Sequence, residues 1–386
     1  MMPRTKILKW TDHLLLAAGA SHPTPRGPYS IPYHAWTYLS QANFLFFCVS
    51  LGAGAMNTKA AKDELDRNEA FLLLCLLLLW KLAICRGSRM REIVGEARRV
   101  EVGIPAGDHE MGRMYDRSAS SNHGVFFFLA AIYFTSCSVC IFNGLQHWQL
   151  MRKAGAEMEK SLVIVAWFPF DYSGCFDLVY FYQICSIALI PLYCTAFDSL
   201  FISLMNSATA RLAILGYKME SFKEQSTLEG QSTYHYLRDV VMEHKNVMRY
   251  VEDLNESLKW FLFVDFLSRS YHVSLTIMNI VRHRSEGPIF FDFSTIIYLL
   301  SQIICFYYHA NRLILESTSL SMKIFHSEWL DQSPEVKRSL LIVMARSQKP
   351  LVLTIGNFRV MDNNLLVQIV KAGYTFFLYQ LLDILH

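Results

Sequence analysis

Phe71-Leu72-Leu73-Leu74-Cys75-Leu76-Leu77-Leu78-Leu79-Trp80 is aliphatic except for its aromatic ends and one thiol. The run lies inside a longer apolar stretch, Asn68–Cys85. As a helix rising 1.5 Å per residue, that stretch nearly crosses the ~30 Å hydrocarbon core of a bilayer. Nothing in a water-soluble domain asks for so many consecutive leucines, so the chain reads as a membrane protein. The same window finds spans at Trp36–Met56, His123–Leu145, Asp177–Met205, Leu258–Val281, Phe293–Leu315 and Asn363–Leu385. The fifth in chain order is the weakest, because Asp265, Arg269 and His272 interrupt it. The expectation is an all-α polytopic fold with seven transmembrane helices.

Composition agrees. Of 386 residues, 53 % are hydrophobic and only 18 % are charged, with 27 Phe and 19 Tyr; soluble domains carry about 25 % charged residues. These figures exclude a disordered regulator and a secreted disulfide scaffold. A net charge of +3, spread along the chain, marks no nucleic-acid surface. The apolar patch Leu14–Ala18 is shorter than a signal-peptide core of ~7–15 residues, so no cleavable signal is expected. Cys137 and Cys140 have C-x-x-C spacing, but they fall mid-span, where thiols pack as small hydrophobes.

Loop charge sets the expected orientation. Arg86, Arg89, Arg91, Arg98, Arg99, Arg113 and Arg117 lie between spans two and three, and a second basic group runs from Arg211 to Arg249 between spans four and five. About 20 Lys and Arg fall on that side and about eight on the other, which places the N-terminus in the cytoplasm and the C-terminus outside. Tyr234–Lys259 repeats apolar residues at helical spacing, so helices extend spans four and five below the membrane as an anchor region. Ser333-Pro334-Glu335 is a helix start that predicts a helix to about Gln348, and Asp362 can cap the last span. The chain then divides into a cytoplasmic segment (1–35), a bundle of six spans (36–330), an anchor helix (331–349) and a final span (350–386). A P-loop, G-x-S-x-G, H-E-x-x-H and spaced Cys/His sets are all missing, so no enzyme chemistry, cofactor or metal is expected. Gly52-Ala53-Gly54 reads as close helix packing, and the sequon Asn255-Glu256-Ser257 falls on the cytoplasmic side, where it stays unused. A G-protein-coupled receptor is disfavoured: Asp116-Arg117 precedes the third span, the last span lacks Asn-Pro-x-x-Tyr, and the orientation is reversed.

The C-terminal third carries a more specific pattern. Trp329-Leu330, then Arg346-Ser347-Gln348-Lys349-Pro350-Leu351, Leu353-Thr354, Gly356, and Lys371-Ala372-Gly373-Tyr374-Thr375-Phe376-Phe377 resemble the insect odorant receptor family. Gly373 stands where that family usually has Ser, and Tyr374 with Gln380 also approaches the sister gustatory-receptor signature, with Leu381 in place of its Phe. The resemblance implies an odour-tuned subunit of a ligand-gated, non-selective cation channel in the dendritic plasma membrane. Its partners would be a co-receptor subunit, completing a heterotetramer, a small volatile ligand, membrane lipid and the permeating cations. It further implies a pore lined by the last span, with a gate at Phe377 and Leu381, and with Lys371 and Gln380 as its polar residues. The implied odorant site lies in the outer halves of spans two, three, four and six. Those halves offer Phe71, Leu74, Cys75 and Leu78; Tyr133, Phe134, Cys137 and Ser138; Tyr180, Phe181 and Ile184; and Ile297 and Tyr298. Such a wall is aromatic and mostly uncharged, which suits a compact neutral aromatic or heterocyclic ligand.

Overall fold

The structure is a computed structural model that describes residues 7–20, 30–57, 62–103, 110–154, 161–282 and 289–385. Within these, the side chains of residues 57, 62–67, 70, 279, 281, 282, 289, 291, 376, 377 and 379–385 are not described. Among the described residues eleven α-helices follow one another: α1 (Lys9–Ala17), α2 (Ser30–Asn57), α3 (Lys62–Arg86), α4 (Ser88–Gly103), α5 (Glu110–Ala154), α6 (Phe176–Glu220), α7 (Phe222–Leu228), α8 (Thr233–Arg282), α9 (Ile289–His326), α10 (Pro334–Ser347) and α11 (Asn363–Leu385). Between α10 and α11 lies a two-stranded hairpin, β1 (Thr354–Ile355) with β2 (Arg359–Val360). The seven expected spans fall in α2, α3, α5, α6, α8, α9 and α11. By length and apolar composition alone, α2, α5, α6 and α9 qualify as membrane-crossing helices. Helix α3 qualifies only together with α4, from which it is bent by 63°. Helices α8, which carries Asp265 and Arg269, and α11 are not among them.

Helix α6 is the axis of the bundle. From Tyr193 to Leu212 every residue is buried, which is what a helix that is hydrophobic all round requires. Helices α5, α8, α9 and α1 pack around it, and α3 and α2 pack outside α8 and α3. Pro191 interrupts α6 from within. Proline has no N–H, so the carbonyl four residues earlier, on Ile187, loses its helical donor. The thiol of Cys137 on α5 supplies a replacement, donating to that carbonyl at 3.5 Å. In a hydrocarbon setting a freed carbonyl must find such a partner. Gly54 is needed for a close approach, but to an extended strap rather than to a neighbouring helix. A Cβ there would sit 2.7 Å from the Cα of Ala166, and the strap containing Ala166 is tied to α2 by Trp167 N–H donating to the Ser50 carbonyl at 2.9 Å.

Charges inside the bundle are paired. Lys81 on α3 and Asp198 on α6 form an ion pair whose side chains are 2 % and 0 % exposed. The second oxygen of Asp198 accepts the Tyr133 hydroxyl of α5 at 2.8 Å. One carboxylate therefore joins three helices. On α8, Asp265 and Arg269 pair one turn apart, with Nε and Nη2 donating at 2.7 and 3.0 Å.

The extensions behave as read. Helices α6 and α8 are 45 and 50 residues long. Below the spans they form a second core with α10, built on Leu215, Met219, Leu237, Val240, Leu340 and Val343. Ser333 caps α10, its hydroxyl accepting from Val336 N–H at 3.5 Å. Asp362 caps α11, accepting from Leu365 N–H at 2.8 Å. The hairpin was not expected, since Leu351–Ile355 reads as a simple apolar link. Gly356 makes it possible by adopting a φ of +56°, a conformation open to glycine at no steric penalty. The hairpin is fastened to α8: Gly356 N–H donates to the Lys259 carbonyl at 2.8 Å, and Thr354 N–H to Asn255 Oδ1 at 2.8 Å. The sequon asparagine is thus engaged in the fold.

The buried pair gives a clean expectation. Lys81→Met alone strands the Asp198 carboxylate, a loss of about 3–5 kcal/mol. The double change Lys81→Met with Asp198→Asn removes both charges and recovers most of that loss. Surface labelling and thermal unfolding in detergent should rank wild type and double variant well above the single variant.

Candidate functional site

A cavity with an empty volume of ≈ 850 Å³ opens among α3, α5, α6, α8 and α9. Helix periodicity decides which side chains reach it. On α5, Tyr133, Cys137 and Cys140 share one face, with Ser136 beside them; on α9, Asp292, Thr295 and Tyr298 follow at three-residue steps; on α6, Ile187, Ile190, Pro191 and Cys194 do the same. Helix α8 adds His272, Leu275 and Thr276, and α3 adds Phe71 and Leu74.

The cavity has an aromatic floor. The rings of Tyr133 and Tyr298 meet edge to face, with centroids 4.9 Å apart. Their hydroxyls are already engaged: Tyr133 donates to Asp198, and Tyr298 lies 3.7 Å from the Cys194 thiol. Beneath Tyr298 the Arg269 guanidinium sits 6.0 Å from the ring centroid. Polar groups reach the cavity at the other end, where α9 begins, from Asp292, Thr295, Thr276, Ser136 and His272. The floor therefore offers dispersion and ring contacts, and the far end offers hydrogen bonds.

Of the expected ligand-site residues, Phe71, Leu74, Tyr133, Cys137 and Tyr298 line this cavity. The others lie elsewhere. Cys75 and Leu78 face inward on α3 and belong to the central core. Phe134 and Ile297 are rotated off the cavity face and are 44 % and 55 % exposed on the outside of the bundle. Ser138 points outward too, its hydroxyl donating to the Phe134 carbonyl within its own helix. Tyr180 and Ile184 sit nearer the start of α6, in a separate cluster with Met151 and Phe176. There the Tyr180 hydroxyl donates to the Gly144 carbonyl at 2.6 Å. Phe181 lies against Trp148, 5.2 Å between centroids. The reading missed α8 entirely, and with it His272 and Thr276. The wall is also not wholly uncharged, because Asp292 belongs to it. The signal available was the period of α8: His272 and Thr276 are one turn apart and on the same face as Arg269.

Lys371 lies exposed on α11. The side chains of Phe377, Gln380 and Leu381 fall outside the described residues, although the α11 backbone runs through all three. On its described part α11 leaves Val367, Val370, Tyr374 and Leu378 exposed. With Lys371 these form one stripe at helical spacing.

A polytopic, all-helical membrane bundle closed around a small-molecule cavity is the class of protein these features define. A family description for the 7tm odorant receptors matches residues 75–374. Odorant receptor 10 of Aedes albopictus is 25 % identical over 207 residues, 52 % of this chain and 54 % of that protein. Odorant receptor Or2 of Anopheles gambiae is 26 % identical over 141 residues, 36 % of this chain and 37 % of that protein. The chain thus spans about half or less of the length of these curated relatives. The fold is similar to that of the insect olfactory receptor OR5 from Machilis hrabei in complex with eugenol, with a TM-score of 0.80 at 15 % identity, covering 98 % of each chain. The chain belongs to the insect odorant receptor family.

Filling the cavity should separate its wall from the residues outside it. Thr276→Trp or Ile187→Trp should raise the half-maximal concentration of any activating odorant at least about tenfold at normal surface density, since a large ring displaces ligand volume. Ile297→Trp, on the outer face of α9, should stay within about twofold of wild type in the same dose–response assay.

Proposed function

We propose that this chain is an odour-tuned subunit of a cation channel that assembles with a co-receptor subunit in the plasma membrane of olfactory neurons. Its ligand is a compact, neutral aromatic or heterocyclic volatile held in the cavity between α5, α6, α8 and α9. The observation that carries the reading is the cavity itself: aromatic at the floor, apolar along the walls and of small-molecule size. The eugenol complex of the Machilis receptor, in a similar fold, supports a ligand of that kind. Asp292, Thr276 and Thr295 add polar side chains to an otherwise apolar and aromatic lining. Membership in the family supports the channel and co-receptor parts of the reading.

The last span is the proposed pore helix, with Phe377 and Leu381 as its gate and Lys371 and Gln380 as its polar positions. The unpartnered stripe from Val367 to Leu378 supports assembly through α11, because a helix face left open in one subunit is available to neighbouring subunits. Apolar side chains converging on an axis block ions by dewetting. A ligand opens such a gate only by binding the open state better than the closed one.

Whole-cell currents in cells expressing this chain, with and without an insect co-receptor, test the reading against a panel of neutral aromatic volatiles. Odorant-evoked currents only with both subunits, and without G-protein signalling, are expected. Currents from this chain alone would instead point to a gustatory-type homomer. Phe377→Ala and Leu381→Ala should raise the basal current several-fold; basal current equal to wild type in surface-expressed protein would remove the gate from these positions.

A further inference from the structure

A second, smaller cavity lies on the far side of the Arg269 guanidinium from the ligand cavity. It offers ≈ 20 Å³ to the centres of water-sized molecules, and its wall includes Asp265, Arg269, Gln302, Tyr307, Ile355 and Met361. Three of these side chains carry polar atoms with no hydrogen-bond partner among the described residues: both amide atoms of Gln302, the Tyr307 hydroxyl and Arg269 Nη1. Gln302 is 1 % exposed, Tyr307 4 % and Arg269 5 %. Buried polar groups are almost always satisfied, by protein or by ordered water. Here Asp265 takes only Nε and Nη2 of the guanidinium, which leaves Nη1 to the cavity. One acceptor, the Gln302 carbonyl, faces this small space with the donors of Gln302 and Arg269 and a hydroxyl that can do either. A water molecule needs two to four such partners, and the space holds about one or two waters.

The position of this cavity gives it a role. Its Arg269 wall backs onto the ligand cavity at one remove, through the contact between the guanidinium and the ring of Tyr298, which lines that cavity. Its opposite wall is Ile355 and Met361, which flank the hairpin. Met361 N–H closes the hairpin base on the Leu353 carbonyl at 2.9 Å, and α11 begins two residues later. A displacement of Tyr298 therefore reaches the start of α11 through Arg269, the groups it shares with Gln302 and Tyr307, and the hairpin.

We propose that the lower cavity is a water-binding site, with Gln302, Tyr307 and Arg269 Nη1 as the groups that hold the water, and that it couples the ligand cavity to the last helix. The coupling half rests on the channel reading above; the water site does not. Gln302→Leu and Tyr307→Phe remove the polar atoms and keep the volume. They are measured singly and together, with the co-receptor, as odorant-evoked current at saturation per surface receptor. Each single variant should lower that current roughly tenfold, and the pair should lose no more than either alone, because both hold the same water. Wild-type currents in the single variants, or losses that simply add, would overturn the coupling. A high-resolution map of the assembled protein decides the site itself, whatever the currents or expression of the variants. Density within hydrogen-bond distance of the Gln302 amide and the Tyr307 hydroxyl is expected, and a dry cavity would overturn it. Wild-type protein silent to all odorants, with that density present, would remove the channel reading and the coupling with it, and leave the water site standing.

Discussion

Asp198 has no exposure to solvent, and its two oxygens are held by Lys81 and by the hydroxyl of Tyr133. A charge inside a membrane protein survives only with its partner in place, so this contact fixes how α3, α5 and α6 stand relative to one another. It also prepares the ligand cavity. Because Asp198 holds the Tyr133 hydroxyl, the tyrosine ring is presented to the cavity with its polar end already engaged. Tyr298 then packs edge-on against that ring, and Arg269 lies beneath Tyr298. The floor of the cavity is thus the upper surface of a structural ion-pair network. Polar side chains join the cavity wall elsewhere, from Asp292 and Thr276.

Helix α6 supplies the other half of the arrangement. Its unbroken burial makes it the element against which every other span is measured, and Pro191 is placed where that element meets the ligand. The Cys137 thiol repairs the carbonyl that the proline leaves without a donor. One small side chain thereby serves both the cavity wall and the helix that backs it. The C-x-x-C spacing with Cys140 follows from the helix face that both residues occupy and needs no redox chemistry.

Hydropathy made the number and order of the spans legible, and local helix signals placed α10 and the cap of α11 to within a residue. The same reading could not say which way each span is rotated. A run such as Phe71–Trp80 is apolar on every side, so no period tells Leu74, which lines the cavity, from Leu78, which does not. Phe134 and Ile297 looked as suitable as their neighbours Tyr133 and Tyr298, and differ only by about 100° of helix. In the sequence Asp265, Arg269 and His272 mark α8 only as the weakest span, whereas in the fold Asp265 pairs with Arg269 beside Tyr298 and His272 reaches the cavity. The hairpin escaped because its signal is a single glycine whose value depends on Lys259 and Asn255, almost 100 residues earlier. Lys81 offered no hint of Asp198, since nothing in local spacing joins residues 117 positions apart.

That separation bears on how the protein is made. Asp265 and Arg269 lie on one turn of α8, so their helix enters the bilayer already neutralised. Lys81 has no such companion. At ribosomal speeds of ~5–20 residues per second, its counter-ion is synthesised roughly 10 s later. During that interval α3 must stay inserted on the strength of the leucines that precede the lysine. The nascent chain therefore carries an uncompensated charge until α6 emerges, which makes the arrival of Asp198 the step that commits the early helices to their final arrangement.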